Sequence, residues 1–302
     1  MTECERIIAQ GILPSSFFAE EKRNDFLVTC ERKKIWGVLL DLLLTFDKFC
    51  QTHGLTYYLS GGSLLGAVRH KGFIPWDDDI DINMKREDYE RLLEVGHNLP
   101  FPYFLETPYS SPECFYSHTR LVNDNTTAFS KSFVYQPMHH GIFIDIFPMD
   151  NWLEDDEERF EQIKALNMEN STYMRMKNPH LSEEERQRVK TWRGIPPIDV
   201  YEKVQELAQR DNGIPTEYMM AGTITNYKFK KKLRPKAAYQ KAVPYIFEGF
   251  RFFGPEDADQ VLRIQYGDYM QLPPVEKRGI WHDNAIFNAD ISYKDFLKTY
   301  NL

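Results

Sequence analysis

Four aspartates in five positions, Asp77, Asp78, Asp79 and Asp81, lie between the apolar run Phe73-Ile-Pro-Trp76 and the alternating segment Asp79-Ile80-Asp81-Ile82. Side chains of an extended strand point to alternate faces, so Asp79 and Asp81 project one way and the two isoleucines the other. Carboxylates packed this closely repel and are tolerated only with a proton or a cation among them. An acidic run is commonly a solvated loop. Here the apolar flanks and the alternation argue for a half-buried strand, and two acids on one face can share Mg²⁺, with Mn²⁺ as the substitute.

Just upstream, Gly61-Gly62-Ser63 follows the β-rich Leu55-Thr-Tyr-Tyr-Leu59 and precedes the helix-compatible Leu64-Leu-Gly-Ala-Val68. A strand-turn-helix of this kind lets backbone N–H groups approach phosphate oxygens, with a helix N-terminus behind them. Glycine turn and acid strand together read as a metal-dependent phosphate site, although Gly-Gly-Ser alone is an ordinary turn. Gly62 and Ser63 are placed on the phosphate, with Arg69, His70 and Lys71 as nearby cations; at surface positions Arg and Lys are equally often plain solvated charges. Trp76 reads as packing. Arg120, on the strand leading to Asn123, is a further candidate phosphate ligand. Histidine as a residue type suits general-base work near neutral pH, which draws the eye to His139 and His140, but a pair directly before a strand reads as structural.

The run Gly62-Ser63-Leu-Leu-Gly66-Ala-Val-Arg69-His70-Lys-Gly-Phe-Ile-Pro75-Trp76-Asp77-Asp78-Asp79-Ile-Asp81 resembles the signature of the LicD family. His140-Gly-Ile-Phe-Ile-Asp145-Ile-Phe-Pro148-Met-Asp150 is similar to that family's second block. Tyr266-Gly-Asp268-Tyr-Met-Gln-Leu-Pro273-Pro274, followed by Arg278 and His282, is similar to its C-terminal block. Three ordered blocks make chance similarity a poor explanation. The eukaryotic fukutin-type ribitol-phosphate transferases look like distant relatives.

The resemblance implies an α+β fold: a nucleotidyltransferase-like mixed β-sheet core flanked by helices, with a mainly helical insertion and a C-terminal segment. It implies transfer of phosphocholine, or a related phospho-alcohol, from a CDP-activated donor, CDP-choline first, to a sugar of a cell-surface glycan or its lipid-linked precursor, with CMP leaving. A site of this type takes a third carboxylate from a neighbouring strand, and Asp145 fits because apolar residues alternate around it. Asp79, Asp81 and Asp145 are then the expected catalytic and metal-binding triad, with Asp145 first in line to take the hydroxyl proton. Asp77 and Asp78 would orient the ligands, and Asp268, Arg278 and His282 join the substrate-binding candidates. The fold does not separate this reaction from CTP-dependent nucleotidyl transfer releasing pyrophosphate, or from a silent binding protein.

The elements that must position these residues are partly legible. Residues 29–52 show the apolar spacing of one amphipathic helix, stopped by His53-Gly54. Helical texture recurs at 85–99 and 256–266, and strands are expected at 104–106, 115–122, 126–129 and 142–147. The layout is an N-terminal segment 1–28, a catalytic core 29–153, a mainly helical insertion 154–237 and a C-terminal segment 238–302 that completes core and site, its last residues peripheral. The segment 165–245 carries no placeable motif, and breaks fall at Pro179, Gly194 and Gly213.

Among 302 residues, 42% hydrophobic and 14% aromatic content excludes a disordered chain. A net charge of −8 argues against tracking a nucleic-acid backbone. The exception is Lys228-Phe-Lys230-Lys231-Lys232-Leu-Arg234-Pro-Lys236, which could meet an acidic inner membrane surface peripherally but reads more simply as a solvated basic helix end. No secretory signal opens the sequence, and 35–46 is too short to span a bilayer. Cys4, Cys30, Cys50 and Cys114 have no zinc spacing. A cytoplasmic protein, in part membrane-associated, is the expectation.

Overall fold

A computed structural model describes the chain apart from residues 131–132, 177, 179–180, 190–194, 223–227, 280–284 and 301–302. The first helix, α1 (Glu3–Ala9), starts on a Thr2/Glu5 capping box, and a short hairpin of β1 (Glu21–Arg23) and β2 (Phe26–Val28) follows. Helix α2 (Cys30–His53) has Thr29 as its N-cap and Gly54, in the left-handed region, as its stop. Trp36, Leu39, Leu40, Leu43, Phe46 and Cys50 are all buried along it. Asp41, the acid that interrupts this apolar run, is buried too, where it accepts hydrogen bonds from Arg6 Nη2 at 2.5 Å and the Tyr103 hydroxyl at 2.7 Å.

The site-bearing stretch runs β3 (Tyr58–Leu59), α3 (Gly61–Arg69), β4 (Asp81–Lys85), α4 (Arg86–Val95), β5 (Tyr103–Glu106), β6 (Thr119–Asn123), β7 (Thr127–Ser130) and β8 (Ile142–Trp152). The strand β8 is the trunk of the main sheet. Its first part pairs antiparallel with β6, its middle parallel with β4, and its last part antiparallel with a strand from much later in the chain. Two expectations shift here. The strand placed at 115–122 begins only at Thr119, and Asp79 precedes β4 instead of lying in it.

Helices α5 (Glu157–Met176), α6 (Glu183–Val189) and α7 (Pro197–Gln209) come next, α5 opening on Glu157 and Glu158 at its positive end and α7 on Pro197. The same segment then gives β9 (Tyr218–Ala221) and β10 (Leu233–Pro235), so the main sheet runs β10-β9-β8-β4-β3, with β6 and β5 continuing from β8. Trp152, Phe160, Ile163, Val200, Val204, Met220, Phe229 and Leu233 form a second apolar cluster that packs α5 and α7 onto this end of the sheet.

The chain closes with the hairpin β11 (Ala242–Phe247) and β12 (Phe250–Pro255), helix α8 (Ala258–Tyr266), strand β13 (Ala285–Asn288) and helix α9 (Tyr293–Tyr300). β13 pairs with β7, and Phe296 joins Phe129 and Val134 in a small cluster apart from the main core. All four cysteines are free thiols, with only Cys30 exposed. Among the described residues no helix is long and apolar enough to cross a membrane.

Candidate active site

Parallel pairing of β4 with β8 sets Asp81 opposite Asp145. Because side chains alternate, Asp81 and Asn83 share a face with Asp145 and Phe147, while Ile82, Met84, Ile144 and Ile146 are buried. The backbone around the acids is pinned. Asp81 N–H donates to Ser63 Oγ at 2.9 Å, and Asp145 N–H donates to Ile80 O at 2.9 Å. Arg32 Nη1 and Trp36 Nε1, both from α2, donate to the carbonyl of Asp77 at 2.8 and 2.9 Å.

The glycines admit the carboxylates. Gly61 sits at φ +51°, and a Cβ there would run into Asp81 Oδ2; one on Gly62 would stand 2.5 Å from Asp77 Oδ2. The Asp77 carboxyl is pushed well above its ordinary range, first by burial and then by the charge of Asp79, to which it is hydrogen-bonded, and of Asp81. Such a set holds a proton unless a cation takes its place.

These acids form one wall of a cavity of about 1170 Å³, roomy for a ligand of nucleotide size. Asp77, Asp79, Asp81 and Asp145 line it together with Arg69, Lys231, Lys232 and Arg234, the aromatics Phe115, Tyr116 and Phe147, the end of α8 at Gln265 and Tyr266, and residues of the loop that follows it up to Lys277. Lys232 is 7% exposed and its ammonium is brought down to about 7 by burial and by Arg234, against the opposing pull of Asp81. His118 also lines the cavity, its Nε2 2.9 Å from Asp145 Oδ1 and its ring tilted on Phe147 at 4.4 Å.

Residues 54–181, which carry the glycine turn, the acid strand and Asp145, match the family described as LicD/FKTN/FKRP, nucleotidyltransferase domain. That segment is similar to a LicD/FKTN/FKRP nucleotidyltransferase domain. It is 28% identical over 250 residues, 81% of this chain and 93% of the relative, to the lipopolysaccharide cholinephosphotransferase LicD of Haemophilus influenzae. It is 57% identical over 35 residues to the human ribitol 5-phosphate transferase FKRP, a match that takes in 12% of this chain and 7% of that protein.

Within this cavity the structure gathers Gly62, Arg69, Asp77, Asp79, Asp81, Asp145 and Asp268 from the residues singled out by sequence. Arg69 is spent in part on the loop: its Nη1 donates to Tyr269 O at 2.6 Å and Gln271 O at 3.2 Å. Others lie off the cavity lining. Ser63 faces the Asp81 backbone, and Asp78 is buried behind the wall. His70 turns to Asn24 and is lowered to about 4 by burial and by Arg69, while Lys71 Nζ folds back onto Val68 O at 3.2 Å. Arg120, opposite Asp145 in the β6–β8 register and so on the same face, is paired with buried Glu106 and stacked on Tyr116 and Phe143, a structural post that does not reach the cavity lining. Arg278 ties the loop to the N-terminal hairpin, through Pro273 O at 2.8 Å and Asn24 O at 3.1 Å. His282 lies outside the described residues. His139, bonded to Asp124, and His140, bonded to Gln136 O, are likewise off the lining.

Sequence reasoning missed His118, Lys232 and Arg234. The last two belong to the run read as a solvated helix end; instead Arg234 pairs with Met219 of β9, Lys232 directly precedes β10, and both are buried. As the side chains stand, no three acids, histidines or cysteines among the described residues converge as a ready metal centre. The chemistry of the wall nevertheless suits a hard cation, since four carboxylates share it and Asp77 is short of positive charge.

Proposed function

We propose that this chain is a metal-dependent transferase that moves phosphocholine, or a related phospho-alcohol, from a CDP-activated donor to a sugar hydroxyl of a cell-surface glycan or its lipid-linked precursor. The observation that carries this reading is the Asp81–Asp145 register, which sets the acids on one wall of a cavity that buried cations also line. The similarity to a lipopolysaccharide cholinephosphotransferase over most of both chains supports the choice of donor and acceptor.

Asp79, Asp81 and Asp145 would hold Mg²⁺, or Mn²⁺, which supplies positive charge against the donor phosphates. The acceptor hydroxyl oxygen bonds to the phosphorus that carries the alcohol, the bond from that phosphorus to the bridging oxygen breaks, and CMP leaves with the electron pair. The hydroxyl proton would pass to a carboxylate, Asp145 first, and the contact of His118 Nε2 with Asp145 Oδ1 at 2.9 Å, which would orient that carboxylate, supports this reading. Cations on the cavity lining offset the charge that builds on the departing nucleotide.

The test is CMP release by the purified chain with Mg²⁺, a panel of CDP-alcohols and a crude glycan fraction. Release confined to one donor, stimulated by acceptor and lost with chelator, is expected. Asp81→Asn and Asp145→Asn should each lower turnover by about a thousandfold, the scale on which transition-state electrostatics act. Pyrophosphate from CTP without CMP from any CDP-alcohol would replace this reading with nucleotidyl transfer.

A further inference from the structure

At the sheet end of the cavity three buried donors meet. Asn83, on the face of β4 that carries Asp81, is 1% exposed, and its Nδ2 has no hydrogen-bond partner among the described residues. Arg234, on β10, is also 1% exposed; Nη1 is held by the carbonyls of Lys231 and Leu233 at 2.9 and 3.1 Å, and Nε has no partner among the described residues. Both side chains line the cavity, as does Lys232. The Tyr239 hydroxyl lies toward Asn83 and Arg234 without meeting hydrogen-bond geometry to either. Buried polar atoms are nearly always paired, so two unpaired donors side by side on a cavity wall call for a ligand. Guanidinium, ammonium and amide N–H groups only donate, and the ligand that answers them is an acceptor-rich anion.

We propose that Asn83, Lys232 and Arg234 form an anion-binding floor that takes a phosphate of the nucleoside diphosphate moiety of the donor. This rests on the transferase reading for the identity of the anion, and it goes beyond that reading in naming residues outside the segment that matches the family, since Lys232 and Arg234 follow residue 181. The acids and the floor divide the labour. The acids serve the reacting phosphorus, and the floor grips the phosphate that departs with the nucleoside. A bidentate or multi-donor grip on phosphate supports discrimination of tenfold or more per lost charged contact.

The experiment is calorimetric titration of the full chain with inorganic pyrophosphate, CDP and cytidine in the presence of Mg²⁺, repeated on Arg234→Met, Lys232→Gln and Asn83→Leu, with thermal unfolding as the check on folding. Pyrophosphate and CDP should bind and cytidine should not; each variant should lose about tenfold or more in affinity for both anions, whereas Lys230→Ala, an exposed cation of the same run, should lose none. Should Arg234→Met fail to fold, Asn83→Leu and Lys232→Gln decide. Undiminished pyrophosphate and CDP binding in the folded variants, or no binding of either anion by the parent chain, overturns the anion floor. CMP release with donor KM unchanged in the variants would sink the floor and leave the transferase standing. Anion binding lost in the variants, with no CMP released from any CDP-alcohol by the parent chain, would leave the floor standing and sink the transferase.

Discussion

Gly61 is where a single methyl group separates a working acid wall from a displaced one. Its φ of +51° is a conformation that side-chain-bearing residues rarely adopt, and its missing Cβ is the space that Asp81 Oδ2 fills. Gly61→Ala is therefore expected to cost about 1 kcal/mol or more in stability and to cut CMP release far more steeply, because the carboxylate must move; urea unfolding and turnover on the same preparation would separate the two effects. His140 gives a second residue-scale prediction. Burial lowers its imidazole to about 4 against an ordinary 6.5, so the unfolded chain takes up a proton between those values and the folded chain does not. The stability it contributes is complete above pH 6.5 and drains away as pH falls toward 4. Denaturation at pH 7 and pH 5 should show a loss of about 2 kcal/mol that His140→Gln removes. The acids were readable because period-two alternation is local: Asp81 and Ile82 announce their faces without any partner. Lys232 and Arg234 were not, because a run of cations looks solvated until β9 pairs with β10, and that pairing is invisible in the run itself. His118 carries no pattern of its own; only Asp145 beside it marks it.

The hairpin of β11 and β12 shows how an element with no functional residue can hold a site. Its turn residue Glu248 accepts both terminal nitrogens of Arg23, at 2.5 and 3.0 Å, and the backbone N–H of Phe73 at 3.0 Å, while its own N–H donates to Lys71 O at 2.8 Å. The N-terminal hairpin, the C-terminal hairpin and the loop that leads into Asp77 are thus clasped at one carboxylate. Glu248→Gln keeps the size and removes the charge, and should cost about 2 kcal/mol, with kcat/KM falling as the Phe73–Trp76 segment loosens; unchanged urea midpoint and unchanged turnover would show the clasp to be incidental. Long elements with caps were legible at this scale: α2 between Thr29 and Gly54, and α8 ending at Gly267, carry their own punctuation. β9 and β10, of four and three residues, have too little pattern to announce a strand, and their place in the sheet follows only from the Met149–Trp152 end of β8 needing a partner.

At the scale of the molecule, the matched domain is smaller than the folding unit. The family segment 54–181 contains the acid wall, but the main core that supports it also draws Ile7, Trp36, Leu39, Leu42, Phe46, Ala221, Tyr239, Phe252, Val261 and Leu262 from outside that range. α2 supplies the two bonds to the Asp77 carbonyl and stacks Trp36 on Phe73 at 4.6 Å. β9 covers the far edge of β8, and the loop after α8 closes the cavity through Arg69. Cutting the chain to 54–181 would expose apolar surface on both faces of the sheet and leave the last part of β8 unpaired, while removing only part of the backbone entropy that folding must overcome. The isolated segment is expected to show no cooperative thermal transition and no pyrophosphate binding, where the full chain shows both. A cooperative transition in 54–181 would mean that the strands and acids alone suffice, and that the flanking segments serve only to shape the cavity.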